Sequence, residues 1–497
     1  MSIVEKFMAK QLVAQAIQDI EEDVVEQDKS APVVALDNQI AAAREEGKQN
    51  RKDATALDMQ EVIDSVGARF NKTHFVAPEG SNVYVWIKYY DPALRRCGYR
   101  KMSFTAFTQQ YCNDMVYVPD GKGGQKLVSV ATVWLNAPSR PTYPGGMMCW
   151  PVGEVPEGVF NTFMGWGVEA VEGDVTLILE FILQVICSGN NNNANYLTKW
   201  LAFCIQHPST PPGVAVVLVG GKGCGKTTLG ELLIKLHGAH GMSVSDPKFL
   251  TGSFNAYMRD LLFMFCDESF WAGDKAAEGT LKARVTGQTL TIEAKGVDAI
   301  TAPNMMSIMM ATNNEHAVPS SSDERRWFVL RVSNIKQGNF RYWDELNNNI
   351  NNGGAEAFLH YLKDVDLADF NVRSVPQTKE LANQKIHSFG ALADFMYQAL
   401  SEGILCSRPW DERRAISRSE FTGRVEEYCQ KHPKHKFNVP QPQYIGRHLL
   451  EMVGACKGRN SGVSREYTYK FPPLNEARDA FASWARLGDD FQWEEAQ

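Results

Sequence analysis

Residues 214–236 read VAVVLVGGKGCGKTTLGELLIKL. Six apolar residues, mostly β-branched, run into glycines, and an amphipathic pattern follows from Lys226. That order predicts a buried strand, a tight turn and a helix. The turn fits G-x-x-x-x-G-K-[ST], with Gly220, Gly221, Lys222, Gly223, Cys224, Gly225, Lys226 and Thr227 in sequence and Thr228 behind them. Glycines let backbone N–H groups curl around a phosphate with no Cβ in the way. The helix behind the turn aims the positive end of its dipole at the same oxygens. Lys226 then suits the outer phosphates, and the Thr227 hydroxyl suits Mg²⁺.

A phosphate cradle needs a metal partner and a base. Downstream, RDLLFMFCDES (259–269) is a second apolar run ending in Asp267 and Glu268. An acid at the carboxyl end of a neighbouring parallel strand is where Mg²⁺ is held, and a second acid beside it polarises the attacking water. A third run, MSIMMAT (306–312), ends in Asn313 and Asn314. An amide there orients water or senses a γ-phosphate, although an Asn pair also simply starts turns. Arg325 and Arg326 precede a fourth run, WFVLRV. An arginine stabilises transition-state charge in many phosphoryl transfers, and a second one caps or pairs locally.

The 497 residues allow two to four domains, with ordinary hydrophobic (44%) and charged (22%) fractions. The net charge of −7 gives no global reason to expect nucleic acid, so such contacts must come from local basic surface. The ten cysteines include no C-x-x-C pair, which argues against structural zinc and a secreted disulfide scaffold and for a reducing cytoplasm. MSIVEKFMAKQ lacks a signal-peptide pattern, and the most apolar window, VTLILEFILQVICSG, contains Glu180 and is too short for a bilayer. No membrane association is expected.

Along the chain, residues 1–64 carry helical periodicity and predict a helical arm or oligomerisation element, or equally a solvated extension. Residues 65–200 predict a mixed α/β and helical region: NVYVWIKYY as a strand, SFTAFTQQYC and KLVSVATVWLN as helices, then DVTLILEFILQVIC and ANYLTKWLAFCIQ as two buried helices. HPSTPPG marks a boundary before the opening stretch. Residues 201–335 alternate strand and helix, which implies a parallel sheet with crossover helices. A helical lid is expected over 336–395. Residues 396–497 turn basic, with helices expected from Ser419 to Gln430 and Gln441 to Met452 before a glycine-containing hairpin. That pattern fits a winged-helix-like module with Arg447 on its second helix and Lys457, Arg459 and Arg465 in the wing, or equally a charged lid on the core.

Loop lysine, DE strand, lysine-bearing β-hairpin, TN strand and RRW, in that order, resemble the superfamily 3 helicases. More narrowly they look like the ATPase module of phage and plasmid primase–helicase proteins. The resemblance covers about 198–332, and NYLTKWLAFCIQHPSTPPGVAVVLVGGKGCGKTT also matches how those modules begin. It implies an AAA+ P-loop core in which Lys226 and Thr227 are the Walker A pair, Asp267 and Glu268 the Walker B pair, and Asn313 the sensor. Arg325 or Arg326 would be the finger that reaches a neighbouring subunit's ATP. A hexameric ring around single-stranded DNA, moving 3′ to 5′, follows from the resemblance alone. So does the role of Lys295, at the tip of the hairpin GQTLTIEAKGVDAITAP (287–303), in gripping the strand. Lys282 and Arg284 are lesser candidates for nucleotide or subunit contacts.

No catalytic acids or zinc ligands of a primase domain are present, so self-priming is not expected, and a separate primase or polymerase is an expected partner. Two other readings stay open. One is a motor for DNA packaging or defence, and the other is an origin-binding protein in which ATP sets assembly.

Overall fold

The computed structural model describes residues 59–92, 96–119, 125–246, 248–268, 275–295, 297–318, 325–412, 414–459, 467–488 and 491–493. The expected arm falls mostly outside these residues, as does Arg465. The chain divides into two compact units, residues 1–72 with 104–140, and residues 73–103 with 141–497.

In the smaller unit a helix, Met59–Phe70, turns Val62, Val66 and Phe70 inward. Phe70, Phe107 and Trp134 form a buried aromatic knot, and Trp134 Nε1 donates to Asn71 Oδ1 at 2.8 Å. KLVSVATVWLN is not one helix. Gln125–Ser129 pairs as a strand with Met115–Pro119, and the helix begins at Val130. Ser129 is the reason: it is extended, and its Oγ accepts from Thr132 N at 3.3 Å, an N-cap that fixes the start.

The larger unit is organised by the opening stretch. Helix α1 (Asn191–Gln206) leads into β1 (Ala215–Val219), with Trp200 Nε1 donating to Val214 O at 3.0 Å. Helix α2 (Lys226–His237) follows, then β2 (Gly241–Val244), β3 (Phe263–Cys266), β4 (Ser307–Thr312) and β5 (Trp327–Arg331). These five strands form one sheet in the order β5-β1-β4-β3-β2, every pair parallel. The mixed α/β architecture with a parallel sheet is therefore present.

Strands β1, β3, β4 and β5 each feed two cores, while β2 adds Val244 to one of them. Val216 and Leu218 pack on one face with Leu229, Leu233 and Trp200, while Ala215, Val217 and Val219 pack on the other with Leu281 and Val285. Strands covered on both faces read as continuous apolar runs, which is why these stretches were conspicuous. Each such side chain contributes roughly 1.5–3 kcal/mol when fully buried.

Register brings the strand ends together. Val219 lies opposite Thr312 of β4 and Arg331 of β5, and Cys266 lies opposite Met310 and Val244. Between β3 and β4, Thr289–Ala294 and Val297–Pro303 form an antiparallel hairpin with Lys295 exposed in its turn.

After β5 come helices Phe340–Asn349 and Ala355–Asp364, then α3 (Lys379–His387). A second core then gathers helices Ala391–Glu402, Arg418–Lys431, Pro442–Val453 and Leu474–Ala485 around a small antiparallel sheet. Its strand order is Ala415–Ser417, Tyr467–Lys470, Cys456–Arg459. Two of these helices fall within a residue of the spans expected from sequence. Among the described residues no helix is long and apolar enough to cross a membrane.

Candidate functional site

At the carboxyl edge of the sheet, β1 ends at Val219 and the turn 220–225 carries the chain into α2. Gly225, the residue before the helix, has φ +102°, which a side chain rarely adopts. A Cβ there would also stand 2.6 Å from the Trp343 ring and 3.0 Å from Phe181. These two aromatics fix where the turn lies. Gln337 Nε2 adds a hydrogen bond to Lys222 O at 2.9 Å. None of the three carried a sequence signal, because each reaches the turn from elsewhere in the chain.

Lys226 folds back into the turn. Its ammonium donates to Gly220 O (2.7 Å), Gly221 O (2.6 Å) and Asn313 Oδ1 (2.9 Å), and the residue is 7% exposed. Asn313 directly follows β4, the neighbour of β1. Thr227 Oγ1 donates to Asp267 Oδ2 at 3.0 Å, and Asp267 directly follows β3. A hydroxyl and a carboxylate side by side form the donor pair that a hard cation takes. Glu268 is exposed, its N–H held by Asp267 Oδ1 at 3.0 Å, and its φ of +54° is unusual for a non-glycine residue. Lys222, Gly223 and Thr227 are open to solvent, Gly221 and Thr228 are half-buried, and Cys224 is buried with Sγ on Gly221 O.

Arg325 and Arg326 are not brought to this corner. They precede β5, and Arg326 O accepts from Ala215 N at 2.8 Å at the opposite, amino edge of the sheet. Arg325 is exposed and Arg326 half-buried. The arginine at the carboxyl edge is instead Arg331, the last residue of β5. It donates to Glu315 Oε1 at 3.0 Å and to Glu380 Oε2 at 2.8 Å. Its hydrogen bonds hold the Glu315 carboxyl below its usual pKa and push the guanidinium further up.

Lys295 is exposed in the turn of its hairpin, and Arg284 is buried with Nη2 on Gly252 O at 2.9 Å. Lys282 pairs with Glu278 at 2.7 Å. Arg447, Lys457 and Arg459 are exposed in the C-terminal part, Arg459 donating to Tyr467 OH at 2.7 Å.

A model for a family of unknown function, DUF5906, matches residues 218–326, from β1 to the threshold of β5. The DNA primase-polymerase of Nitratiruptor phage NrS-1 is 27% identical over 185 residues, 37% of this chain. That match spans 26% of the relative's own length. Apo structures of the NrS-1 C-terminal region are similar in fold. One has a TM-score of 0.57 at 18% identity, covering 84% of this chain and all of that one. Another has a TM-score of 0.54 at 18% identity, covering 78% and 96%. The shared feature is the fold, over most of the larger unit's length.

Proposed function

We propose that the larger unit is an AAA+ P-loop ATPase of the superfamily 3 type, and that the chain is an ATP- and Mg²⁺-dependent DNA helicase. It would act as a ring, moving 3′ to 5′ on single-stranded DNA during replication of a phage or mobile element. The carrying observation is the meeting of Lys226 with Asn313 and of Thr227 with Asp267 at one corner, across 87 and 40 residues of chain. The phage primase-polymerase relative supports the replication setting.

In this reading the turn's N–H groups and Lys226 bind the β- and γ-phosphates, Glu268 takes a proton from the attacking water, and Asn313 orients that water. Thr227 and Asp267 hold Mg²⁺, which when bound neutralises charge on the phosphates. Arg325 and Arg326 stand one strand length from the corner, about 16 Å at roughly 3.3 Å per residue. Neither serves its own copy, so a finger role requires a neighbouring subunit, which is the physical argument for the ring. Lys295 on the hairpin grips the strand. Residues 201–335 are the core, 336–395 a lid, and 396–497 a winged-helix-like domain whose Arg447, Lys457 and Arg459 meet phosphates.

The test is hydrolysis by the full chain with Mg²⁺ and single-stranded DNA, alongside unwinding of a forked duplex. Lys226→Ala and Glu268→Gln each lower hydrolysis by about 10²–10³. Lys295→Ala keeps hydrolysis and loses unwinding; strand separation retained in that variant removes the hairpin from the mechanism. Hydrolysis with no strand separation by the parent chain leaves a motor for packaging or defence. The exposed basic C-terminal residues favour one second reading, an ATP-regulated origin-binding protein. Removing residues 396–497 would then abolish site-specific binding and spare hydrolysis.

A further inference from the structure

A cavity of about 300 Å³ lies at the amino ends of the parallel strands, the far end of the sheet from the phosphate loop. His240 and Met242, flanking the start of β2, and Asp260 and Leu261, ahead of β3, form one side. The strands Asn82–Asp91 and Arg96–Met102 form the other. The volume is at the lower end of small-molecule sites.

The walls suit a flat ligand. Trp86, Tyr89, Tyr99 and Tyr257 line the space. Tyr89 is 38% exposed, and its ring lies against Gly98, where a Cβ would come within 3.2 Å of it.

The polar groups favour a ligand that brings N–H donors. Asp260 Oδ1 accepts from the buried Thr162 hydroxyl at 3.0 Å, and Oδ2 lies 3.5 Å from Arg259. A carboxylate offers about four acceptor positions, so Asp260, whose side chain is 31% exposed, retains capacity. Arg259 is shared with Glu79 at 3.3 Å, and Asp91 adds a second carboxylate to the lining. An anion is therefore disfavoured. Both ring nitrogens of His240 are engaged: Nε2 accepts from Met164 N at 2.9 Å and Nδ1 donates to Asp260 O at 2.8 Å. Burial first, then Cys97 and Asp260, pushes the Tyr99 hydroxyl up to about 12, so it remains protonated. Outside, the same two strands expose Lys88, Tyr90 and Arg100, with the Arg100 guanidinium 5.9 Å from the Tyr89 ring. Cations interleaved with aromatics suit a single strand of nucleic acid.

We propose that this cavity binds a nucleobase bearing an exocyclic amine, flat against the Tyr89 ring with its N–H edge on Asp260. The same chemistry is offered by a free nucleoside and by an unpaired base of a strand. Arg100, on the same face of the two strands as Tyr89, favours the base in a strand, whose phosphates stay outside. The site does not depend on the phosphate-loop reading, since a nucleoside carries no phosphate.

Calorimetry on the full chain without ATP tests it, using cytidine, guanosine and thymidine, then oligomers of dC and of dT. Cytidine and guanosine are expected to bind at least about tenfold tighter than thymidine. Tyr89→Ala weakens them about tenfold or more, in line with the loss of one stacked base. Asp260→Asn brings cytidine down to the level of thymidine, and Ala239→Phe, which fills the cavity, abolishes nucleoside binding. Each variant is checked for parental melting, and because Asp260 also holds Thr162 and Arg259, Ala239→Phe serves as the independent arm. If Ala239→Phe loses both nucleoside and dC oligomer, the occupant is a base in a strand. If it loses the nucleoside alone, the occupant is a free nucleoside. Equal affinity for thymidine and cytidine, or unchanged binding in both Tyr89→Ala and Ala239→Phe, overturns the proposal.

Discussion

The two ends of the five-stranded sheet are built in opposite ways. At the carboxyl end the working groups sit in one turn, Gly220–Thr227, or immediately after β3 and β4, as Asp267 and Asn313 do. At the amino end the cavity is gathered from separate stretches around residues 86–99, 162–164, 239–242 and 257–261. A site made of backbone N–H groups must be locally contiguous, because successive residues have to curl around one ligand. A pocket made of side chains needs only tertiary packing, and leaves no local pattern.

Three changes probe that contrast. The largest effect is expected from Gly225→Ala, where a left-handed φ and the Trp343 ring at 2.6 Å both oppose a methyl group. Backbone strain alone costs about 1–3 kcal/mol. Calorimetry should find ATP binding lost and nucleoside binding at the cavity retained; normal ATP affinity would break the contrast at its stronger end.

Next is His237→Phe. His237 closes α2 near the amino end, fully buried and stacked on Phe263 at 5.0 Å. Burial, with a further contribution from His240, pushes its pKa down to about 4, against the Leu233 carbonyl that pulls it up. The unfolded chain therefore takes the proton first. Stability is full above about 6.5 and lost as pH falls toward about 4, on the order of 3 kcal/mol in total. Melting curves across that window should show the acid sensitivity of the parent flattened in the variant, with the phosphate loop unaffected.

The smallest effect is expected from Arg331→Met. Glu380, its side chain 10% exposed, loses its cation, at a cost of about 1–2 kcal/mol after allowance for an arginine side chain that is 39% exposed. The hydrogen bond from Arg331 lowers the Glu315 pKa from 4.5, so the share that Glu315 contributes is full above that value and fades as pH falls through the lowered one. The melting difference between parent and variant should narrow in acid as Glu315 takes up its proton. A gap that persists there would mean that packing, rather than charge, is what Arg331 supplies.

What could be read from the sequence follows the same division. The strands β1, β3, β4 and β5 were legible as apolar runs, the hairpin from its Lys295-Gly296 turn, and two C-terminal helices to within a residue. Strand β2 carries no such signal, since Gly241–Val244 is only four residues long and opens on glycine. The stretch 174–187 reads as one helix, yet it passes from α (Thr176–Glu180) to π (Phe181–Ile186), and periodicity does not register a one-residue widening. Arg331 has no local signal of the kind that Arg325 and Arg326 carry, because its importance comes from Glu315 and Glu380, the latter 49 residues away. The turn's aromatic support by Phe181 and Trp343 was hidden for the same reason.

Helix α3 carries one more consequence. Gln384, with no exposed surface, accepts from Ala317 N at 2.7 Å and Val318 N at 3.3 Å and donates to Glu315 O. Thr378, at the head of the helix, holds Val329 O, while Ala382 and the following Phe389 belong to the C-terminal core. Dragging the segment behind Asn313 away from α3 would strip a buried amide of every partner it has there, which is dearer than turning the helix whole. Helix α3 is thus tied at one end to the segment behind β4 and at the other to the C-terminal core, a single strut between the two.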